Sequence, residues 1–151
     1  MNNRAGQETV YQAIEQLQKL SELFQHRRLQ LARRVGLTEQ QWRVLEEVST
    51  EHFVPSMFAR NRDSSPAAVS KIIRQLGEKQ LIRGAISRID GRQRHYVLTA
   101  KGRRLMEEIR THRLRAIQAI WLGLDLKQLN QFVRFSRRLI ASLASYSGKE
   151  Q

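Results

Sequence analysis

Apolar residues recur at helical spacings through the first quarter of the chain. Because the intervening positions are polar, the pattern is typical of an amphipathic helix with one buried face. We expect this helix to run from about Thr9 to about Arg34, with Gly36 ending it. Its apolar positions are Val10, Ile14, Leu17, Leu20, Phe24 and Leu31.

The second helix is predicted from its capping residues. Thr38 suits an N-cap and Gln41 stands three residues further on, as in a capping box. Leu37 and Trp42 occupy the two positions of a hydrophobic staple, and the apolar face continues to Val48. Trp42 is therefore interpreted first as a core residue.

Two prolines each mark the start of a further helix. Pro55 suits the first turn of a short third helix, and Ser65 with Pro66 combines an N-cap with the favoured first helical position. The predicted buried stripe of this fourth helix is Val69, Ile72, Ile73 and Leu76. Its other face is small near the start and basic further along, and comprises Ala67, Ser70, Lys71, Arg74 and Glu78.

After Gln80 the periodicity changes from helical to strand-like. Residues 81–89 predict a β-strand, Asp90–Gly91 is a hairpin signal, and residues 94–98 predict the returning strand. A helix-turn-helix followed by a two-stranded hairpin is the winged-helix arrangement. One helix of such a unit fits the major groove of B-DNA, which is about 12 Å wide.

Two more helices follow the hairpin. Thr99 caps a long helix with the apolar stripe Leu105, Ile109, Ile117, Ile120 and Leu124, and Asp125 with Gln128 repeats the capping pattern for a final helix. The final helix carries Phe132, Val133, Leu139, Ile140 and Leu143. A winged-helix unit needs neither the long first helix nor this extra pair. Their presence favours a large isologous dimer interface.

The charge distribution narrows the choice of partner. The chain has 151 residues and a net charge of +13. Residues 1–54 are balanced, residues 55–104 carry +9 and residues 105–151 carry +4. Such a field attracts polyanions. The basic residues lie among turns and strand-like runs rather than along one amphipathic helix, which favours nucleic acid over a membrane surface.

Several chemistries find no support in the sequence. The chain has no cysteine, no phosphate-cradling glycine loop and no nucleophile elbow, and its four histidines are never at a short chelating spacing. We expect no enzyme activity, no cofactor and no metal. The N-terminal residues and the longest apolar runs resemble neither a signal peptide nor a membrane span, so we expect a cytoplasmic protein.

The ordered combination of four segments resembles the MarR/SlyA family of winged-helix regulators. Residues 37–45 resemble the start of the family's second helix and residues 65–76 its recognition helix. Asp90-Gly91-Arg92 and residues 98–102 resemble its wing tip and wing exit. The sequence departs from the family pattern at Gln80, where a glycine is usual, and at Arg62, Asp63 and Gly91.

The resemblance implies a fold that is mainly α (α+β), a winged helix-turn-helix with long flanking dimerisation helices. The whole chain, 1–151, would be one domain, with the DNA-binding lobe at about 37–104. The dimerisation helices would lie at about 9–34 and 105–146. It further implies a homodimer on a pseudo-palindromic operator in double-stranded DNA.

The resemblance also implies specific contacts. The residues carried over to the major groove are Ser65, Ala67, Ser70, Lys71 and Arg74. Arg92 would enter the minor groove with Asp90 orienting the wing arginines, and Arg88 and Arg94 would contact phosphates or groove edges. Lys71 and Arg74 alone would suit an ordinary solvated helix face. Their place beside a basic hairpin favours DNA contact, and arginine suits bidentate recognition of guanine.

The function expected from these features is a repressor that releases DNA on binding a small aromatic or phenolic effector. Candidate effector contacts are His26 and Trp42. Two other functions stay open at this point. One is an architectural, nucleoid-type protein with little sequence preference, and the other is a protein–protein adaptor that uses the winged helix as a scaffold.

Overall fold

The computed structural model describes residues 3–50, 53, 55–61, 64–86 and 94–148. The elements are α1 (Asn3–Arg34), α2 (Glu39–Ser49), α3 (Pro55–Asn61), α4 (Pro66–Glu78), β1 (Ile82–Ile86), β2 (Arg94–Leu98), α5 (Ala100–Ile120) and α6 (Leu126–Ser147). By spatial proximity the chain forms two compact units, 1–110 and 111–151, each described by itself below. The expected single domain over 1–151 stays a prediction.

The first helix begins earlier than its apolar pattern indicates and ends where predicted. α1 starts at Asn3 rather than near Thr9, because polar residues extend the helix beyond its first apolar position. At the other end, Gly36 has a φ of +72°. The Gly36 N–H donates to the carbonyl of Arg33 at 3.1 Å, and the Leu37 N–H donates to that of Ala32 at 2.9 Å. These two bonds form a Schellman motif, which glycine favours.

The start of α2 has the predicted capping box. The Thr38 hydroxyl accepts from the Gln41 N–H at 3.1 Å, and the Gln41 side-chain oxygen accepts from the Thr38 N–H at 3.1 Å. The two staple residues, Leu37 and Trp42, are both buried. Local chemistry therefore fixes where the chain turns into α2.

The hydrophobic core belongs to the first unit and joins α2, α4 and the hairpin base. The largest fully buried side chains are Val44, Leu45, Val48, Val69, Leu76 and Ile109. Phe53 adds edge-to-face ring contacts with Phe58 and Tyr96, at centroid distances of 5.7 and 6.3 Å. This core holds the four-residue stripe of α4, as the sequence predicts.

The hairpin is antiparallel, and its register pairs Ile82 with Leu98 and Ile86 with Arg94. The first strand, predicted over residues 81–89, is described only as far as Ile86. Leu81 precedes the strand, and its N–H completes the end of α4 instead. Residues 87–93, which include the predicted wing tip, lie outside the described residues.

The second half of α5 and the whole of α6 leave their apolar residues uncovered, whereas Ile109 in the first half of α5 is buried in the core. α5 ends at Ile120, so Leu124 lies in the following turn and not on the α5 stripe as predicted. Asp125 then caps α6, its carboxylate accepting from the Gln128 N–H at 2.9 Å. None of the residues of α6 is buried. Its exposed large apolar residues are Leu126, Phe132, Val133, Phe135, Ile140, Leu143 and Tyr146.

The apolar face of α1 is also exposed. Its exposed residues include Val10, Ile14, Leu17, Leu20 and Phe24, although the sequence pattern predicts that this face is buried. The remaining third of the helix, near Ala32, packs on the core. Over the described residues, no helix combines the length and the apolar character needed to cross a membrane.

Candidate nucleic-acid interface

One helix, α4, presents two chemically distinct faces. Val69, Ile72, Ile73 and Leu76 are buried, as predicted. The hydroxyl of Ser65 accepts from the Ala68 N–H at 3.1 Å, and Pro66 occupies the first turn. The cap and the proline fix the start of the helix, and the apolar stripe fixes its rotation about its own axis.

The opposite face of α4 is exposed along its whole length. The residues Ala67, Ser70, Lys71 and Arg74 are all exposed. Because residues three, four and seven apart share a helix face, the structure brings these four predicted residues together, with Ser65 at the start of the helix. Small side chains at 67 and 70 leave room for close approach, and longer cationic side chains follow.

A carboxylate lies on the same face. The Oε1 atom of Glu78 is 3.9 Å from the Nε atom of Arg74, and the two side chains are 68% and 70% exposed. Glu78 was predicted to lie on this face, without a role in binding. The i,i+4 spacing from arginine to glutamate is the signal that points to the pair.

Three contacts hold α4 in place through residues that are not part of this face. The Gln41 amide nitrogen, at the start of α2, donates to the Gln75 side-chain oxygen at 3.0 Å. The ammonium of Lys79 donates to the Gly36 carbonyl at 3.0 Å, which ties the end of α4 to the end of α1. Thr99 donates to the Gln80 carbonyl at 2.6 Å. These hydrogen bonds hold α4 in a fixed position relative to α1, α2 and the start of α5.

Not every basic residue of the middle segment is available to a partner. Lys79 is used in the contact to Gly36, and the ammonium of Lys101 donates to the carbonyl of Lys79 at 2.9 Å. The guanidinium of Arg103 donates to the Leu98 carbonyl at 3.0 Å. These three cations satisfy main-chain carbonyls, whereas Lys71 and Arg74 carry their charge on the open face of α4.

The wing residues can be placed only in part. Arg88, Asp90 and Arg92 lie outside the described residues, as does the side chain of Arg94. The backbone of Arg94 is the first position of β2, opposite Ile86. On the described strands, Arg83 is exposed and pairs with Val97. The wing contacts stay predictions.

The two candidate effector residues have different surroundings. Trp42 is buried, and the guanidinium carbon of Arg28 lies 4.8 Å from its ring centroid. The same guanidinium is 3.5 Å from Glu39 and 3.2 Å from Glu46. His26 is exposed on α1. His26 stands two residues before Arg28 and therefore on another side of α1. The cluster of Arg28 with Trp42 and two glutamates was not predicted from the sequence.

Metal-ligating side chains are scattered. In the portion of the chain that the structure describes, no three His, Asp or Glu side chains lie close enough together to hold a metal ion.

The fold and this helix face define a winged-helix protein, and comparison with solved structures identifies the fold more narrowly. No family model matches the chain, and no curated protein matches it. The fold is that of the MarR family of transcription regulators. A crystal structure of one MarR family transcription regulator has a TM-score of 0.81 and 18% identity, with 95% of each chain covered.

Two further structures carry the same fold. The YusO protein from Bacillus subtilis has a TM-score of 0.71 and 23% identity, covering 89% of this chain and 96% of that one. A complex of Staphylococcus aureus MepR with DNA has a TM-score of 0.63 and 20% identity, covering 83% and 96%. The predicted fold class is confirmed.

Proposed function

We propose that the chain regulates transcription as a homodimer that binds a pseudo-palindromic operator in double-stranded DNA. The observation that carries this proposal is the exposed face of α4, small near its capped start and cationic at Lys71 and Arg74, opposite a fully buried stripe. The MepR–DNA complex, which has the same fold, supports DNA as the partner.

In this proposal α4 enters the major groove. Ala67 and Ser70 let the helix approach the bases, and Arg74 donates two hydrogen bonds to a guanine, a contact worth about 1–3 kcal/mol of discrimination. Lys71 contacts a phosphate or a base edge. The wing lies beside the helix, with Arg92 entering the minor groove and Arg88 and Arg94 near phosphates.

A second copy of the chain completes the site. The exposed apolar residues of α1 and those of α6 form surfaces of the kind that subunit interfaces bury. In the proposed dimer, the two copies of α4 occupy half-sites about one helical turn of DNA apart, roughly 34–36 Å. The dimer acts in the cytoplasm, where it meets the chromosome.

The regulator is proposed to act as a repressor whose affinity for DNA falls when a small aromatic acid binds. A ligand shifts an equilibrium only by its difference in affinity between two states. The effector must therefore bind better to a dimer whose two copies of α4 no longer match the half-site spacing.

A fluorescence anisotropy titration tests the proposal. The duplex upstream of the protein's own coding sequence is compared with a scrambled duplex of the same composition at several salt concentrations, because electrostatic affinity depends on salt. We expect the upstream duplex to bind at least about 10³-fold more tightly. Equal affinities would instead indicate an architectural protein. Binding no tighter than that of an unrelated protein of equal charge would indicate an adaptor.

The same titration addresses the effector. A panel of aromatic acids, beginning with simple phenolic carboxylates, is added to the complex with the upstream duplex. Release of that duplex at constant salt supports a ligand-responsive repressor. Retention of the duplex with every compound argues for a regulator that does not respond to this class of ligand.

A further inference from the structure

The carboxylate of Glu78 stands where a negative charge opposes DNA binding. It is the only acidic residue of α4. Its position, four residues after Arg74 and eleven after Ala67, places all three on one line along the helix. A carboxylate on the face that meets a polyanion lowers affinity for every duplex. We therefore ask whether Glu78 offsets this loss of DNA affinity through its effect on its partner, Arg74.

We propose that Glu78 is a positioning residue that determines sequence specificity through Arg74. This inference rests on the proposed function, because it assumes that the face of α4 meets DNA. The carboxylate restrains the guanidinium of Arg74, so that the arginine binds a guanine edge in preference to a phosphate.

The geometry of the pair fits this role. Glu78 approaches Arg74 on the Nε side of the guanidinium, with 3.9 Å between Nε and Oε1. Because this contact uses Nε, both terminal Nη groups remain to donate in parallel to O6 and N7 of guanine in the proposed complex. Both side chains are about 70% exposed in the free protein. Docking removes much of their water, which strengthens the attraction between them.

The effect on specificity follows from the difference between two affinities. On a random duplex that offers no guanine, Arg74 would gain affinity only by neutralising a phosphate. The contact with Glu78 opposes that movement of Arg74, and the carboxylate also repels the DNA backbone. On the preferred duplex, the guanine contact offsets that repulsion. Glu78 thus weakens binding to random DNA more than binding to the preferred site.

A charge-neutral substitution tests the inference against a matched control. Glu78→Gln is compared with Glu107→Gln on α5, where Glu107 pairs with Arg110 at 3.5 Å and the two side chains are 64% and 68% exposed. Both variants lose one equally exposed, arginine-paired carboxylate. The probes are the duplex that the wild-type protein enriches most from a random library and a scrambled duplex of the same composition.

For Glu78→Gln we expect affinity for the scrambled duplex to rise about threefold or more, with the log–log salt slope steepening by about 0.9, because Arg74 can then neutralise one more phosphate. Affinity for the enriched duplex rises less, so the specificity ratio falls. Glu107→Gln leaves the ratio unchanged. Neither variant shifts the melting temperature by more than about 2 °C, since both sites are exposed.

A second comparison establishes whether Glu78 acts through Arg74. In an Arg74→Gln background, Glu78→Gln should no longer change the specificity ratio. The inference is overturned if the two glutamate variants change the ratio equally, or if Glu78→Gln still changes it without Arg74. If the wild-type protein enriches no sequence at all, the proposed function itself fails, and Glu78 then has no specificity to determine.

Discussion

At the scale of single residues, the ends of α1 and α4 differ in whether a side chain occupies the left-handed backbone position, which affects the free energy of unfolding. Both helices end in the same pair of hydrogen bonds, with Gly36 at a φ of +72° in one and Gln80 at +60° in the other. A side chain in this left-handed region costs about 1–2 kcal/mol. Part of that cost is offset because glycine loses more entropy on folding.

We therefore expect Gln80→Gly to raise the free energy of unfolding by about 1 kcal/mol, measured by urea denaturation. Gly36→Ala is the matched control and should lower it by a similar amount. A Cβ atom at Gly36 would meet nothing within 4 Å, so its cost is conformational only. A destabilised Gln80→Gly variant would mean that the glutamine side chain contributes packing that outweighs its backbone strain.

Glycine is required at position 102 because the backbone of Leu81 lies too close for a side chain, and not because of its own backbone angles. A Cβ atom there would lie 2.1 Å from the carbonyl oxygen of Leu81. Leu81 is held on the other side by its N–H bond to Leu76. We expect Gly102→Ala to lower the free energy of unfolding by about 3 kcal/mol, since neither backbone segment can yield cheaply.

Gly77→Ala is the control for Gly102→Ala, because position 77 has space for a side chain. It lies in α4 with nothing within 4 Å of an added Cβ atom. Gly77→Ala should therefore stabilise the protein by up to about 1 kcal/mol. Thermal and urea unfolding of the two variants measure the contrast. If both variants lose stability equally, steric contact at Gly102 is not the cause.

Lys71 is the residue whose removal tests the face of α4 most directly. Lys71→Ala should weaken binding to the upstream duplex by about 1 kcal/mol or more. If the contact is to a phosphate, the salt slope falls by about 0.9. Lys127→Ala on α6 removes the same charge elsewhere and should change affinity much less. Equal losses in anisotropy titrations would assign the effect of Lys71 to net charge.

Residues with local roles could be predicted from the sequence, and residues with long-range roles could not. The caps at Thr38, Ser65 and Asp125 depend on neighbours within three positions, so spacing alone identifies them. The contact between Gly102 and Leu81 joins residues far apart in the chain. The same holds for the guanidinium of Arg28 over Trp42. Such long-range pairs can be identified only from the three-dimensional structure.

At the scale of elements, the capped start of α4 combines a stability role with a predicted DNA contact. The hydroxyl of Ser65 accepts the Ala68 N–H. Aspartate caps as well as serine and interacts favourably with the helix dipole, whereas alanine does neither. However, aspartate adds a negative charge to a helix start that is proposed to enter the major groove, which phosphates border on both sides.

Two substitutions therefore separate the roles of Ser65. Ser65→Ala should lower the free energy of unfolding by about 1 kcal/mol. Ser65→Asp should keep the stability of the wild type while weakening DNA binding about tenfold or more, by repulsion of phosphates. Urea denaturation and anisotropy measure the two effects. Undiminished DNA affinity in Ser65→Asp would place the start of α4 away from the DNA backbone.

The order of elements was predictable because each boundary carries its own local signal. Pro55, Pro66 and Thr99 each start a helix as expected. The end of α5 was misjudged at Leu124 because the apolar period continues beyond Ile120, while the turn at 121–124 interrupts the helix. The early start of α1 was missed because the spacing of apolar residues cannot indicate how far polar residues extend a helix.

At the scale of the whole molecule, the distribution of apolar surface is the main argument for a dimer. The first unit has a core of its own, whereas α6 has an apolar face and no buried residue. A helix of this composition gains little stability alone in water. Burial of the face against a second copy would supply the missing packing.

We therefore expect light scattering to give a mass of about twice the 17.7 kDa of one chain. The paired substitution Phe132→Glu and Leu143→Glu, at the centre of the α6 apolar face, should produce monomers because charges are costly to bury there. Loss of the second half-site contact should then lower affinity for the upstream duplex by about 10² or more.

A control pair adds the same charge to the polar side of the same helix. Asn130→Glu and Ala141→Glu change two exposed residues that stand two positions before Phe132 and Leu143, about 160° away around the helix. This control should remain dimeric. The chain has a second tryptophan, so all variants also carry Trp121→Phe, and fluorescence of the buried Trp42 then reports whether the lobe stays folded. A Phe132→Glu, Leu143→Glu protein that keeps its lobe and still scatters as a dimer would exclude this face from the interface, leaving α1 as the remaining surface for pairing.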